Sequence, residues 1–402
     1  MIGGGVAGTA AAWSARRGLA DVTAIFDRAG ASSLYSGALD EAPWERGGLD
    51  TALDSELLAF SVALEAWTVG TRSARVATPH GVLRTARGRD SSLLDLAPLS
   101  GQRVAVVATQ VDGWDAVWLA RSLGASGWAG KTRTRFEAVP VEGLFDAAER
   151  RASAYDLAQL HDDPARLARL AERVRGVRAD GLLFGPWLGA APGGAEGLSS
   201  MVGKPCGEVT SLPGGPAGAR FDASRDALLA SVGVQIRHER VQSIEPRGRR
   251  FLVGGSGALT ANDAGFDAIV LAIGGLVGGG IVLTEPSFVE ESAAVAPGSL
   301  PSGAFRPSVR ARVEIGFAGR AFDRASSERG FDLATLGLTA LERVGILSDG
   351  AQAHGLPSVF VAGDCVADLP RTALRAAQSG IAAARAALSL GARVDARPIA
   401  AS

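Results

Sequence analysis

Cysteine is scarce: Cys206 and Cys365 are the only two in 402 residues, and they lie far apart. Without a Cys-x-x-Cys pair, neither an iron–sulfur cluster nor a structural zinc can be assembled from this chain alone. A structural disulfide is not expected, and a reducing cytoplasm is the simplest setting. Lysine is equally rare, with only Lys131 and Lys204 among 41 basic residues. The arginine excess reads as a GC-rich coding bias rather than as a set of phosphate contacts. Net charge is −1, which leaves no basic footprint for nucleic acid. No unbroken apolar run reaches the ~18 residues of a membrane-spanning helix. No charged segment followed by an apolar one opens the chain as a secretory signal would.

What is present is an ordinary globular composition, 47% hydrophobic and 21% charged, in a chain long enough for two or three domains. Glycine is plentiful, at 53, so the opening Gly3-x-Gly5-x-x-Gly8 is weak evidence alone. Its weight comes from the other end of the chain. There Leu356 opens a short apolar strand that ends Ala-Gly-Asp364 and runs into a small-residue helix. A glycine turn can hold a pyrophosphate at a helix N-terminus, and a strand-end acid can reach a ribityl hydroxyl. Together they are two halves of a flavin site, and the fold must bring them together. In a dinucleotide fold the turn follows the central parallel strand, yet only Met1 and Ile2 precede Gly3. That strand is expected to be absent or a stub, with the natural start lying upstream.

Residues 9–18 read as a helix stopped at Gly18. Residues 22–27 read as a strand ending in Asp27, whose carboxylate can accept from a ribose diol or simply cap the next turn. Ser36 and Gly37, in the loop 31–40, let backbone approach a pyrophosphate or a flat ring; they also read as a plain serine-rich turn. Strands at 103–109, 136–141 and 181–184 alternate with helices at 114–123 and 164–175, which predicts a small inserted parallel sheet. Asp222 is expected to N-cap a helix reaching about residue 231. A long strand over 234–244 should pair with 251–253, and 266–275 reads as a strand buried on both faces. A helix over 373–390 closes the chain.

Several segments, taken in order, carry a resemblance: Gly3 to Gly8, Ser36-Gly-Ala-Leu-Asp40, Thr78-Pro-His-Gly-Val-Leu-Arg84, the strand at Val104, 154–163, Leu212-Pro213 with Gly218-Ala-Arg220, 269–275 and 359–380. Over nearly its whole length the chain resembles the second subunit of the anaerobic glycerol-3-phosphate dehydrogenase, in the flavoprotein group that includes fumarate reductase flavin subunits. The resemblance implies an α/β, two-dinucleotide-binding-like flavoprotein fold. Its Rossmann-type parallel sheet would have a truncated first strand and inserted α/β cap regions. The flavin-binding domain would comprise 1–40, 204–275 and 356–402, with inserts at 41–203 and 276–355.

The resemblance further implies oxidation of sn-glycerol 3-phosphate to dihydroxyacetone phosphate, with electrons leaving through an iron–sulfur partner towards quinone. A sister flavin subunit and an iron–sulfur membrane-anchor subunit would be the partners, placing the chain in the cytoplasm or at the inner membrane face. The alternative is a flavin-carrying relay or assembly subunit without substrate chemistry of its own. The family is associated with FMN, but the dinucleotide-type turn and Asp27 favour FAD, with FMN the alternative. Cofactor contacts are expected from Gly3, Gly5, Gly8, Asp27, Ser36, Gly37, Gly363, Asp364, Ser379 and Gly380. If the last two opened the closing helix, their amides would point at the flavin's pyrimidine edge. Oxidising a secondary alcohol needs a base and a cation for the phosphate. His80 is the candidate base, and Arg84 and Arg220 are the candidate phosphate ligands. His161 is expected to be solvated, His238 and His354 structural, and Cys365 a packed thiol. No metal is expected.

Overall fold

The computed structural model describes residues 1–28, 30–39, 51–255, 265–283 and 345–395, together with short strands within 287–317. Asp40, the segment 41–50 and most of the second expected insert lie outside the described residues. Two compact units emerge, Met1–Ala31 with Leu229–Ser402, and Ser32–Leu228. The inner unit is therefore wider than the expected insert at 41–203: it takes in Ser36, Gly37 and the segment up to Leu228. Hydrogen bonds explain the shift, because Ser211 N–H donates to Ser36 O at 2.9 Å and Thr210 N–H to Ala77 O at 2.8 Å.

The first unit is organised on a mixed sheet whose parallel part runs Gln235–Arg237, Thr23–Ile25, Ile2, Ile269–Leu271, Val359–Val361. Gln352–Ala353 and Ser348–Asp349 extend it antiparallel. In chain order the parallel strands lie 3-2-1-4-5, a Rossmann-type order. The expected central stub is there: Ile2 N–H donates to Val270 O and Gly3 N–H to Ile25 O, each at 2.9 Å, so two neighbours flank it. Ile269–Leu271 and Val359–Val361 are buried along their length, as covered parallel strands must be. The opening helix, Val6–Arg17, lies against the closing helix, Ala373–Asp395. Alanines line the seam, with Ala10, Ala11, Ala12, Ala377, Ala383 and Ala384 all fully buried. The expected single strand over 234–244 divides in two. Gln235–Arg237 joins the parallel sheet, while Val241–Arg247 pairs antiparallel with Arg250–Gly255.

Among the described residues the second unit holds two sheets. Ala38–Leu39, Leu83–Asp90 and Trp67–Ala77 form an antiparallel one. Arg135–Pro140, Arg103–Ala108, Gly181–Phe184 and Cys206–Glu208 form the expected parallel sheet, in that spatial order. Its helices follow their local signals. Asp163 caps Pro164–Val174 by accepting from Ala165 N–H, and Ser153 caps Ala154–His161 in a capping box with Asp156. The helix expected from Asp222 starts about two turns earlier, as Pro216–Ser231. Proline suits a first helical turn, and the Ser211 hydroxyl accepts from Ala217 N–H at 3.3 Å. Asp222, inside the helix, accepts instead from Ser33 Oγ at 2.8 Å and pairs with Arg225.

Candidate functional site

In the first unit the glycine turn sits at the carboxyl ends of the parallel strands, where open α/β sheets bind their ligands. Gly3 has φ +113°, and a Cβ there would overlap the Ala272 carbonyl, so no larger residue fits between the turn and the fourth strand. Gly8 touches the turn itself: its Cβ would overlap Gly3 O. Gly5 is the N-cap of the opening helix, and its carbonyl accepts from both Thr9 N–H (3.0 Å) and Thr9 Oγ1 (2.9 Å). The helix has no acidic residue in its first turn and two arginines, Arg16 and Arg17, in its last. The missing acid leaves the helix's partly positive N-terminus suited to an anion. Asp27 is exposed just past the second strand.

The closing segment arrives at the same place. After Val359–Val361 the chain turns at Gly363, φ +74°, into Gly363–Cys365. A Cβ on Gly363 would lie 2.7 Å from Ala7 Cβ, in the first turn of the opening helix. Two ends of the polypeptide thus meet within one unit, and half-buried Asp364 stands beside them. Gly275, after the fourth strand, is packed against this residue: its Cβ would lie 3.1 Å from Asp364 Cβ. Backbone turns and glycines, rather than long side chains, make up this edge.

The placement of Ser379 and Gly380 follows from where the closing helix starts. The closing helix begins at Ala373, so both lie inside it and their amides do not open it. The start at Ala373 is the one expected from the alanine-rich run over 373–390. Ser379 Oγ instead accepts from Gly363 N–H at 2.8 Å and donates to Ala376 O at 2.9 Å. Gly380 is the contact point of the two helices, its Cβ position overlapping Ala7 O. One residue holds the Asp364 turn in place; the other lets the opening helix come close. Cys365 is a packed thiol, fully buried, donating to Leu271 O and Ala362 O, and burial pushes it up to about 12.

Arg220 departs furthest from expectation. It is fully buried in the second unit, and its guanidinium is consumed internally. Nε donates to Asp90 Oδ1 at 2.9 Å, Nη2 to Glu208 Oε2 at 2.7 Å and Nη1 to Gly189 O. Both carboxylates are fully buried as well. Glu208 also accepts from Leu188 N–H, and Asp90 from Ser92 N–H and Tyr35 O–H. A substrate phosphate has no access to this cation. Burial pushes the Glu208 carboxyl up to about 7, against the pull of Arg220. Burial and the neighbouring Asp90 carboxylate hold the Tyr35 phenol well above its ordinary range, so it stays a donor. Asp90, Glu208 and Tyr35 carry no signal in their spacing along the chain; only folding brings them to Arg220.

Arg84 and His80 are exposed. Arg84 lies on the Leu83–Asp90 strand and donates from Nη1 to Ser36 Oγ at 3.4 Å. His80 occupies the turn joining that strand to Trp67–Ala77, where Gly81 N–H donates to Thr78 O and Val82 N–H to Thr78 Oγ1. His161 is buried rather than solvated. Its Nδ1 bonds the Trp187 carbonyl at 2.7 Å, and burial lowers its pKa, so the ring is neutral and donates. His238 meets Phe26 edge-on, and His354 pairs with Asp349 on the surface. Among the described residues no cluster of His, Cys, Asp and Glu could hold a metal, and no helix is long and apolar enough to cross a membrane.

No family model matches the chain, and no curated protein matches it. Among solved structures it is similar to a ferredoxin–flavin thioredoxin reductase from Clostridium acetobutylicum, at 14% identity over 57% of this chain and 95% of that one, TM-score 0.26. It is also similar to the iminodiacetate oxidase of Chelativorans sp. BNC1, at 14% identity over 100% and 96%, TM-score 0.31. A thioredoxin reductase from T. acidophilum matches at 11% identity over 97% of both chains, TM-score 0.22. These superpositions are too loose to carry an argument, and the Rossmann-type assignment rests on strand order and register.

Proposed function

We propose that the chain is a flavoprotein oxidoreductase, with FAD held by the first unit. The supporting observation is the meeting of the Gly3–Gly8 turn with Gly363 and Asp364 at the carboxyl ends of one parallel sheet. Gly3, Gly5 and Gly8 would approach the pyrophosphate, Asp27 the adenosine ribose and Asp364 the ribityl hydroxyls. FAD is preferred over FMN because Asp27 and the glycine turn would otherwise have no adenosine half to serve. A bound flavin supplies a two-electron acceptor.

The substrate reading is sn-glycerol 3-phosphate, oxidised to dihydroxyacetone phosphate, with the chain as the second subunit of an anaerobic glycerol-3-phosphate:quinone oxidoreductase. Arg84, exposed and bonded only weakly to Ser36, would take the phosphate, and His80 would take the hydroxyl proton. Arg220 has no part in it. Electrons would leave through a sister flavin subunit and an iron–sulfur anchor, since neither buried cysteine is available to a cluster. A flavin-carrying relay subunit is the second reading, favoured by how little of the second unit's buried polar chemistry reaches its surface.

Extraction of the purified protein and chromatography of the released chromophore tests the cofactor. FAD is expected; a colourless protein that takes up neither FAD nor FMN ends the proposal. Bleaching of the flavin band by glycerol 3-phosphate with this chain alone supports the dehydrogenase reading. Bleaching only in the presence of a sister subunit supports the relay reading.

A further inference from the structure

Ser36 is held from both sides by a single residue. Tyr35, just before it, donates its phenol to Asp90 Oδ2 at 2.9 Å. Gly37, just after it, accepts from Asp90 N–H at 2.6 Å and has φ +92°. Asp90 ends the Leu83–Asp90 strand, the strand that carries Arg84. Ser36 and Arg84 are therefore referred to the same anchor, which is itself fixed by Arg220 and, through Arg220, by Glu208. The loop has other ties: Ser33 Oγ donates to Asp222 at 2.8 Å, and Ser36 O accepts from Ser211 N–H at 2.9 Å. Aromatic packing backs the phenol, with Trp67 Nε1 donating to Tyr35 Oη at 3.3 Å and Phe221 stacked on Trp67 at 5.9 Å.

Stability alone is a poor reason for such a cluster. Two carboxylates share one guanidinium out of water, and apolar side chains of similar volume often serve a core as well or better. What a network of directional bonds supplies is a fixed geometry. We propose that Tyr35, Asp90, Arg220 and Glu208 form a positioning cluster that sets the Ser36 hydroxyl against the Arg84 guanidinium as a receptor for a phosphomonoester. This rests on the reading of Arg84 as the phosphate ligand. None of the four touches the ligand. Ser36 offers a hydroxyl donor and Arg84 a planar fork of N–H donors, a pair matched to the tetrahedral oxygens of a phosphate.

The experiment uses the full chain in phosphate-free buffer, titrated calorimetrically with inorganic phosphate and with sn-glycerol 3-phosphate. Amide hydrogen exchange is followed across residues 33–37. Tyr35→Phe is the main variant, because it removes one hydroxyl and keeps the ring; Arg220→Lys, which cannot fork between two carboxylates, is the second. Arg84→Ala should abolish binding of both ligands and leave exchange at 36 and 37 as in the parent. Tyr35→Phe should keep Arg84 yet weaken both ligands about tenfold, with faster exchange confined to the loop. Unchanged exchange at 36 and 37 in Tyr35→Phe and Arg220→Lys overturns the positioning role, whatever the titrations give. Faster exchange with unaltered affinity also overturns it, since the cluster would then be merely structural. A parent chain that binds neither ligand, with the loop loosened in Tyr35→Phe, defeats the Arg84 reading instead.

Discussion

The two units handle polar chemistry in opposite ways. At the sheet edge of the first unit the features that suit a ligand are backbone turns, and glycines keep side chains out of the way. In the interior of the second unit, charged side chains are packed inside and satisfied by each other. The contrast is instructive about residue types. Arginine and glutamate look functional in a sequence, yet Arg220 and Glu208 are spent internally, whereas glycines with nothing to react line the sheet edge where the two turns meet. Burial, not chemistry of type, separates the two cases.

The largest expected effect breaks the ionic side. Arg220→Met should cost about 3–5 kcal/mol in urea unfolding, because it leaves Asp90 and Glu208 buried and unpaired. Replacing all three together by apolar residues of similar volume should recover much of that loss. If Arg220→Met unfolds like the parent, the cluster is not a closed network.

Titration gives the next effect. The Glu208 carboxyl rises from 4.5 to about 7 on folding, so between those values the folded chain holds a proton that the unfolded chain has released. Its contribution to stability is complete below 4.5 and is lost as pH rises through about 7. Glu208→Gln should flatten that slope between pH 4.5 and 7, even though the variant is weaker at every pH. A slope identical to the parent's places the titrating group elsewhere.

On the glycine side, Gly8→Ala forces a methyl against Gly3 O. A loss of about 1–3 kcal/mol is expected, with flavin retention falling more than thermal stability because the turn itself is displaced. Equal flavin content in mutant and parent would separate the turn from the cofactor. Ser379→Ala is the smallest change. It removes the acceptor for Gly363 N–H and should cost about 1 kcal/mol. Its signature is faster amide exchange at Gly363 and Asp364, with the second unit untouched.

Strands at 103–109, 136–141 and 181–184 were legible because apolar runs bounded by turn residues report local pairing. The Asp163-Pro164 helix start was legible for the same local reason. The stretch 234–244 misled, since one β-rich run serves two sheets and nothing in its pattern marks the break after Arg237. Ser379 and Gly380 lie within the helix expected over 373–390, where Gly380 relieves a close approach to Ala7.

Taken by itself, the sequence determined those features that depend on neighbours along the chain. They are the glycine turn with its helix, the capped helices, the buried parallel strands and the want of cluster-forming cysteines. Tertiary structure alone decided that Arg220 is interior and that Ser36 belongs with Asp90. The reason is physical. Helix, strand and turn preferences act over a few residues, whereas the burial of an ion and the meeting of distant residues depend on which surfaces close over them. Residues 90, 208 and 220 share no period, and only the folded core gives them a common address.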